Sequence, residues 1–273
     1  MTPSLVLNHY TSGTGLVGIL DSGSIWASNI HQLNDAMEFK HALELAKSEI
    51  TQVAAKNPNR QAHVLGERLI DLVDRCYDFS VYVTSFSEVR DSLSQWRGYC
   101  PSGFGYSIGF DEQHLRTAAT AQGFALSRCI YDGAKQREII SEWAQRTFDH
   151  LIENLDPAEN THDTDNVIWP RMMSLLVHAP FLKHSSFSDE REWRMTRVVN
   201  RNDPQLKLRA SEHMLIRYLP VPLPLSTESE IIWDVCVGPT PHPNLALESI
   251  THYLHKMNIR NGICPSQTPY RSW

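Results

Sequence analysis

The sequence of 273 residues lacks any apolar run long enough to cross a membrane as a helix. No stretch approaches the roughly 18–20 consecutive apolar residues that such a helix needs. The segment Met1–His9 also lacks a basic region followed by an apolar run, so no signal peptide is expected there. These two absences predict a protein without membrane partners.

Cysteine and positive charge are both scarce. The chain has 5 cysteines, an odd number, and no two of them form a Cys-x-x-Cys pair. They are therefore expected to be reduced thiols in a cytoplasmic protein. The formal net charge of −6 argues against broad nucleic-acid binding, which depends on excess lysine and arginine, but it leaves room for a local basic cleft.

Several motifs of known chemistry are missing. There is no Walker A sequence, no Gly-x-Ser-x-Gly motif and no zinc-type spacing, although the chain has 13 histidines. Gly103–Gly109 superficially resembles a dinucleotide-binding loop. Its third glycine comes one position late, however, and the segment leads into a predicted strand instead of a helix. Neither a bound metal nor a Rossmann-type site is expected.

The order of predicted elements indicates an α+β fold. Strands are predicted near the N-terminus, at Ser80–Ser87 and from Glu190 onwards, without regular alternation of strands and helices. Helices cluster in two blocks, at about 34–78 and 133–180. We therefore predict a single domain with a mostly antiparallel sheet and two helical insertions on one face.

The segment Tyr82–Tyr99 gathers polar side chains beside a predicted strand end. Its hydroxyls, amide and guanidinium stand where a core would need apolar residues at a regular period. Such a gathering is what a phosphate- or sugar-bearing ligand requires. The alternative is a hydrogen-bonded corner that holds Trp96 in the core, and the sequence leaves both interpretations open. The candidate ligand residues of this segment are Ser87, Gln95, Arg97 and Tyr99.

Two further polar clusters lie at predicted helix starts. His9, Tyr10 and Thr11 stand where a strand meets a helix, and free N–H groups at such a start attract anions. Capping of the helix by Thr11 or Ser12, with His9 and Tyr10 packed in the core, explains the same residues. Asn34 and Asp35 begin the next helical block, where capping explains most of the pattern and a ligand role stays open.

The predicted strand from Glu190 carries charged side chains on one face. By strand alternation Glu190, Glu192 and Arg194 share that face, whereas Trp193 lies on the other and is expected in the core. One interpretation of the charges is a solvated row of ion pairs. The other is a carboxylate that stabilises positive charge developing on a sugar during glycosidic cleavage.

Several segments together carry a resemblance to a known family. They are His9–Ser12 with Leu16–Leu20, Ile25–Ala27 with Leu33–Asp35 and Glu38, Ser85–Ser87 with Asp91–Tyr99, and Phe187 with Glu190–Arg194. Val237–Pro239, Ser266 and Pro269–Arg271 fit the tail of the same pattern. On these segments the chain is identified as a member of the bacterial domain-of-unknown-function family 2971, over nearly its whole length.

The order of these segments also resembles the ADP-ribosyltransferase fold, particularly its DarT-like and RNA phosphotransferase-like branches. That resemblance implies a split, mostly antiparallel sheet and NAD as substrate. By the same likeness His9 and Thr11 would hold the adenosine-side ribose. Tyr10 or Tyr99 would stack on nicotinamide, and Arg97 would meet the pyrophosphate or the acceptor.

The leading interpretation is an enzyme that cleaves the nicotinamide–ribose bond of NAD. It would transfer ADP-ribose to a nucleic acid, a protein or water, and the resemblance implies a role in bacterial defence or as a toxin. Glu192 would be the catalytic carboxylate, with Glu190 as the other candidate. Two alternatives stay open: a nucleotide-binding or sensing module without turnover, and a nuclease or phosphotransferase that uses Arg97 and His9.

Overall fold

A computed structural model gives the structure of Pro3 and of residues 5–33, 36–58, 60–76, 79–100, 104–154, 161–211, 213–225, 230–259 and 262–269. The strands are β1 (Val6–Thr11), β2 (Ser24–Asn29), β3 (Ser80–Ser87), β4 (Tyr106–Asp111), β5 (Ala125–Arg128), β6 (Glu192–Val199), β7 (Lys207–Ala210), β8 (Leu215–Pro222), β9 (Ile232–Val237) and β10 (Gly262–Pro265). The helices are α1 (Gly13–Ser22), α2 (Ala36–Lys56), α3 (Arg60–Cys76), α4 (Leu93–Tyr99), α5 (Glu112–Ala121), α6 (Gly133–Asn154), α7 (Thr161–His178) and α8 (Pro243–Lys256). The fold is therefore mixed α/β with a largely antiparallel open sheet, as the sequence predicts.

The sheet follows the order β10-β9-β4-β1-β3-β2-β8-β7, and β6 pairs with both β3 and β5. All of these pairs are antiparallel except β9 with β10, which run parallel. The parallel edge strand β10 follows helix α8, as a parallel neighbour requires a crossover connection. Strand β3 lies at the centre of the sheet, because it pairs with β1, β2 and β6.

The two edges of β3 are used differently. One edge pairs with β6 along the whole strand, from Ser80 opposite Val199 to Ser87 opposite Glu192. The other edge is shared, since β1 meets it only at Ser87 and β2 meets it only at Tyr82 and Val83. β1 and β2 therefore diverge, and the β3 edge between these contacts faces the gap. We call this opening the split of the sheet.

Local signals set the helix that follows β1. Ser12 caps α1 by accepting a hydrogen bond from the Gly15 N–H at 3.1 Å. Gly23 ends the helix in the left-handed region at φ 59°, where a glycine meets no steric penalty. Leu16 and Ile19 are buried on the face that packs against the sheet. This short helix thus starts directly at the end of β1, beside the split.

The sheet separates two apolar cores. Tyr82 and Phe86 of β3 belong to the core on the face covered by α1, α5 and α8. Val81 and Val83 alternate onto the other face and join the core built with α2, α3, α6 and α7. The two predicted helical blocks therefore pack together on one face. Trp193 points to the first core but is only partly buried there.

The segment after β3 forms a hydrogen-bonded corner around Trp96. Trp96 is 0% exposed, and its Nε1–H donates to Asp91 Oδ1 at 2.7 Å. Asp91 also accepts from Ser266 Oγ at 2.6 Å, the Gln267 N–H at 2.7 Å and Thr268 Oγ1 at 2.9 Å. The corner interpretation therefore holds for Trp96 and Asp91, and it ties α4 to the segment after β10.

The described part of the chain contains neither a candidate membrane span nor a candidate metal site. None of its helices combines the length and the apolar character needed to cross a bilayer. Among the same residues, no group of three or more His, Cys, Asp or Glu side chains is arranged to hold a metal ion. All five cysteines are free thiols.

Removal of the Asp91 carboxylate should loosen the corner. In Asp91→Ala the Trp96 indole N–H is left buried without its acceptor, and we expect a loss of about 2–4 kcal/mol in unfolding free energy. Urea denaturation followed by tryptophan fluorescence measures it. Asp71→Ala, at an exposed position of α3, is the control and should cost under about 0.5 kcal/mol. Equal losses in the two variants would contradict a structural role for the corner.

Candidate functional site

A cleft of about 640 Å³ lies at the split of the sheet. Asn8–Thr11 of β1 and Val83–Phe86 of β3 form two of its walls. Trp26 and Ser28 of β2 form another, and Arg209 of β7 reaches in from the far edge. The start of α1 closes one end. This volume falls within the range of roughly 300–1,000 Å³ that small-molecule and cofactor sites occupy.

His9 is held in the cleft wall as a neutral imidazole. Its Nδ1 lies 2.9 Å from the Ser85 carbonyl oxygen, and its ring packs against Phe86 with centroids 5.8 Å apart. Burial lowers the pKa of His9, and the hydrogen bond to Ser85 opposes that effect only in part. Because the carbonyl can only accept, Nδ1 carries the proton and Nε2 is left as a hydrogen-bond acceptor.

Thr11 is packed against the first turn of α1. A Cβ on Gly15 would overlap the Thr11 Oγ1 atom, so only glycine leaves that hydroxyl in its place. The N–H groups of Gly13 and Thr14 precede the first intrahelical hydrogen bond, which Leu16 donates to Ser12. Ser12, Thr14 and Gly15 line the cleft, so the positive end of the helix dipole lies there. The helix start that the sequence predicts after His9–Thr11 therefore lies at the cleft, and its ligand role stays a prediction.

Two side-chain hydroxyls that the sequence predicts to bind a ligand form hydrogen bonds within the fold instead. The Tyr10 hydroxyl donates to the Val89 carbonyl oxygen at 2.7 Å and accepts from the Ser92 N–H at 3.0 Å. The Ser87 hydroxyl donates to the Glu190 carbonyl oxygen at 2.6 Å and accepts from the Val89 N–H at 3.0 Å. Tyr10 still lines the cleft, whereas Ser87 is buried behind it. Both side chains chiefly stabilise the turn after β3.

Helix α4 presents two of its predicted residues to the cleft. Gln95 is buried and Tyr99 is 37% exposed, and both line it. Arg97 is exposed on the same helix and is not among the described residues that line the cleft. Asn34 and Asp35 lie outside the described residues. Tyr99 is therefore the accessible aromatic side chain that this helix contributes.

Sequence reasoning missed Arg209 and two buried polar side chains of the cleft. The Arg209 Nη2 donates to Ser28 Oγ at 3.2 Å, but its buried Nε–H finds no acceptor in the described part of the chain. Burial lowers the pKa of Arg209. The buried oxygens Asn8 Oδ1 and Thr84 Oγ1 are likewise without a partner among the described residues. No local pattern marks Arg209, because only the sheet order brings its distant strand to the cleft.

A group of buried charges, here called the charge cluster, lies on the helical side of the sheet. Lys183 Nζ donates to Glu192 Oε2 at 2.6 Å and to Glu190 Oε2 at 2.7 Å. Arg194 holds both Glu192 oxygens, with Nε at 2.8 Å from Oε1 and Nη2 at 3.1 Å from Oε2. The Arg194 Nη2 also donates to Glu38 Oε2 at 3.0 Å. Glu192 is 3% exposed, so the interpretation as a solvated ion-pair row is wrong.

The placement of Glu190 also corrects the sequence prediction. Strand β6 begins at Glu192, and Glu190 ends a 3-10 segment that starts at Ser185. Between the two acids Arg191 adopts the left-handed region at φ 43°, uncommon for a residue other than glycine. The chain turns there, so Glu190 reaches Lys183 from the end of the 3-10 segment and not by strand alternation.

The Glu192 carboxylate is charged and closely surrounded. Burial alone would raise the pKa of Glu192, but the charges and hydrogen bonds of Arg194 and Lys183 outweigh it and lower the pKa to about 2. Glu192 stands opposite Ser87 on β3, one strand away from the split. It is not among the described residues that line the cleft. The structure thus brings part of the predicted site together: His9, Tyr10, Thr11, Gln95 and Tyr99 line the cleft, whereas Ser87, Arg97, Glu190 and Glu192 do not.

A second recess of about 400 Å³ lies between α3, α7 and the loop after β6. Arg75, Trp169 and Arg201 are among its lining residues, and none of the predicted site residues is there. The Arg75 guanidinium already lies over the Trp169 ring, 5.9 Å from its centroid. The cleft at the split is therefore the candidate functional site.

The charge cluster predicts a pH-dependent loss of stability in Glu192→Gln. The variant leaves Lys183 and Arg194 buried with less compensation, and we expect a loss of about 3–5 kcal/mol at pH 7. Because the folded-state pKa of about 2 lies below the ordinary value of 4.5, the carboxylate stabilises the fold fully above about pH 4.5 and progressively less as the pH falls towards 2.

Urea denaturation of wild type and variant between pH 7 and pH 3 tests this expectation. The difference between the two should shrink below about pH 4.5. Glu138→Gln, which removes an exposed partner of Lys135 on α6, is the control and should change little at any pH. A Glu192→Gln difference that stays constant down to pH 3 would contradict the account of the cluster.

Comparison with known proteins gives a family match. No curated protein and no solved structure matches the chain significantly. The model of the family described as "Protein of unknown function (DUF2971)" matches residues 95–195. This stretch runs from α4 to β6 and contains Gln95–Tyr99 and Glu190–Arg194, two of the segments that carry the resemblance. The predicted resemblance to this family is therefore confirmed over residues 95–195.

Proposed function

We propose that the cleft at the split of the sheet binds a nucleotide and that NAD is its leading candidate. The observation that carries the proposal is the meeting of His9, Thr11 and the start of α1 at the open edge of β3. The cleft combines hydrogen-bonding groups, a helix start and aromatic side chains. A nucleotide has hydroxyls, phosphates and flat rings, and each of these finds a matching group there.

The chemistry of the cleft residues suits the sugar and ring parts of such a ligand. Neutral His9 offers Nε2 as an acceptor for a ribose hydroxyl, and the Thr11 hydroxyl can donate or accept beside it. Tyr99 is the exposed aromatic side chain that can stack on a nicotinamide or adenine ring. Gln95 supplies an amide on the same helix. These roles keep the residues of the ADP-ribosyltransferase likeness, with Tyr99 preferred to Tyr10 for stacking.

Direct binding tests the proposal. Isothermal titration calorimetry should show saturable binding of NAD and ADP-ribose to the wild type. In Gly15→Ala the new methyl group displaces the Thr11 hydroxyl, and loss of one hydrogen bond should weaken binding roughly three- to tenfold. Gly98→Ala is the matched control, because a Cβ at that helical glycine meets nothing within 4 Å. Absence of binding to the wild type would refute nucleotide binding, and equal affinities in all three proteins would refute the role of Thr11.

A second candidate function is cleavage of the bound NAD. Glu192 favours it, because this carboxylate stays charged and lies on the strand next to β3. In this reaction the bond between nicotinamide nitrogen and ribose C1′ breaks, and nicotinamide leaves with the bonding electron pair. The resulting oxocarbenium-like ribose is stabilised by the carboxylate and is captured by a nucleophile on a nucleic acid or protein, or by water.

To stabilise the developing ribose cation, the Glu192 carboxylate must lose part of its contact with Lys183 and Arg194. Both of its oxygens are held by Arg194 and Lys183, and Glu190 competes for the same lysine. This enclosure favours the nucleotide-binding or sensing alternative, in which the cluster only stabilises the fold. The nuclease or phosphotransferase alternative combines Arg97 with His9, yet Arg97 is not among the described residues lining the cleft. It gains no support from this arrangement.

Release of nicotinamide distinguishes turnover from binding alone. If NAD is cleaved, chromatography should detect free nicotinamide, and Glu192→Gln should lower the rate at least about 100-fold while calorimetry still shows NAD binding. Assays well below the melting temperature of the variant keep it folded. Glu190→Gln is the control with a smaller expected effect. Saturable binding with no nicotinamide from the wild type would reject turnover and support the sensing alternative.

A further inference from the structure

The described residues that line the cleft include a cationic side chain but no carboxylate. The chain carries a formal net charge of −6, yet no aspartate or glutamate is among the described residues that line the cleft. Arg209 is the charged side chain that these residues contribute, since His9 is neutral. The carboxylates of Glu190 and Glu192 in the charge cluster are paired with Lys183, and Glu192 is also paired with Arg194. The cleft therefore presents positive charge on a negatively charged protein.

Arg209 is directed towards the cleft without a carboxylate partner. Arg209 lies on the edge strand β7, opposite Ile216 of β8. Its guanidinium extends across β8 to Ser28 on β2. Among the described residues Tyr218, and no carboxylate, is the electrostatic neighbour of Arg209, and its buried Nε–H has no acceptor there. Partial burial of a guanidinium without a hydrogen-bond acceptor costs free energy. A bound anion offsets this cost by accepting hydrogen bonds from the guanidinium.

The start of α1 lies in the same cleft and favours the same kind of ligand. Gly15 is capped by Ser12, whereas the N–H groups of Gly13 and Thr14 precede the first intrahelical bond. Thr84 is 4% exposed, and its hydroxyl has no partner among the described residues although it lines the cleft. The helix has ten residues, long enough for a full N-terminal turn with its dipole.

We infer that Arg209 and the start of α1 form a subsite for the diphosphate of a nucleotide. The inference rests on the proposed nucleotide binding and adds the part of the ligand that decides its class. The guanidinium fork binds phosphate oxygens in a bidentate manner, and the helix start binds the neighbouring phosphate. The cleft then selects nucleoside diphosphates such as ADP-ribose over uncharged nucleosides. This role belongs to Arg209 and not to Arg97, the arginine that the family resemblance points to.

Calorimetric titrations with ADP-ribose, inorganic pyrophosphate and adenosine test the subsite. Arg209→Gln should weaken binding of ADP-ribose and pyrophosphate at least about tenfold and leave adenosine binding unchanged. Arg209→Lys keeps the charge without the planar fork and should fall between wild type and Arg209→Gln. Arg217→Gln is the matched control, since Arg217 is exposed on β8 and does not line the cleft. Thermal melts check that each variant is folded. If Arg209→Gln is not folded, the comparison of Arg209→Lys with the wild type is used instead.

The outcomes separate this inference from the proposed function. If the wild type binds ADP-ribose and Arg209→Gln binds it equally well, the subsite is refuted while nucleotide binding stands. If the wild type binds pyrophosphate but neither NAD nor ADP-ribose, and Arg209→Gln loses the pyrophosphate, the anion subsite stands while the proposed function fails. A wild type that binds neither pyrophosphate nor any of the nucleotides refutes both.

Discussion

Backbone pairing along β3 is the constraint on which the candidate site depends. A strand has two edges, and β6 occupies one of them completely. β1 and β2 must share the other, with β1 at Ser87 and β2 at Tyr82 and Val83. The gap between them becomes the cleft, and helix α1 begins at its rim because β1 ends there. A shift that closed this gap would remove the cleft without changing any residue that lines it.

The same sheet separates the charges of the region. Glu192 and Arg194 alternate to the helical side of β6, where Lys183 completes a cluster in which each described charge faces an opposite one. Replacing such a cluster by apolar residues can be neutral, whereas removing one member is costly. On the cleft side, Arg209 is left without such compensation. The paired charges therefore lie on the helical side of the sheet, whereas Arg209, which has no carboxylate partner among the described residues, lies at the cleft.

The parts of this structure that the sequence predicts are those set by short-range signals. Ser12 and Gly23 bound α1, and Asp111 caps α5 by accepting from the His114 N–H, which are residue types that favour helix starts and ends. Long-range contacts decide the rest. The Tyr10 hydroxyl is taken by the turn after β3, which no local pattern shows. Arg209 comes from an edge strand nearly 200 residues after β1, and only the sheet order brings the two together.

A crystal structure of the wild type with ADP-ribose tests the central claim most directly. The account predicts ligand density in the split between β1 and β2. The diphosphate should lie within hydrogen-bonding distance of the Arg209 guanidinium and the start of α1, and a ribose hydroxyl near His9 Nε2. Ligand bound at any other surface, or β1 and β2 joined across the β3 edge so that no cleft exists, would contradict it.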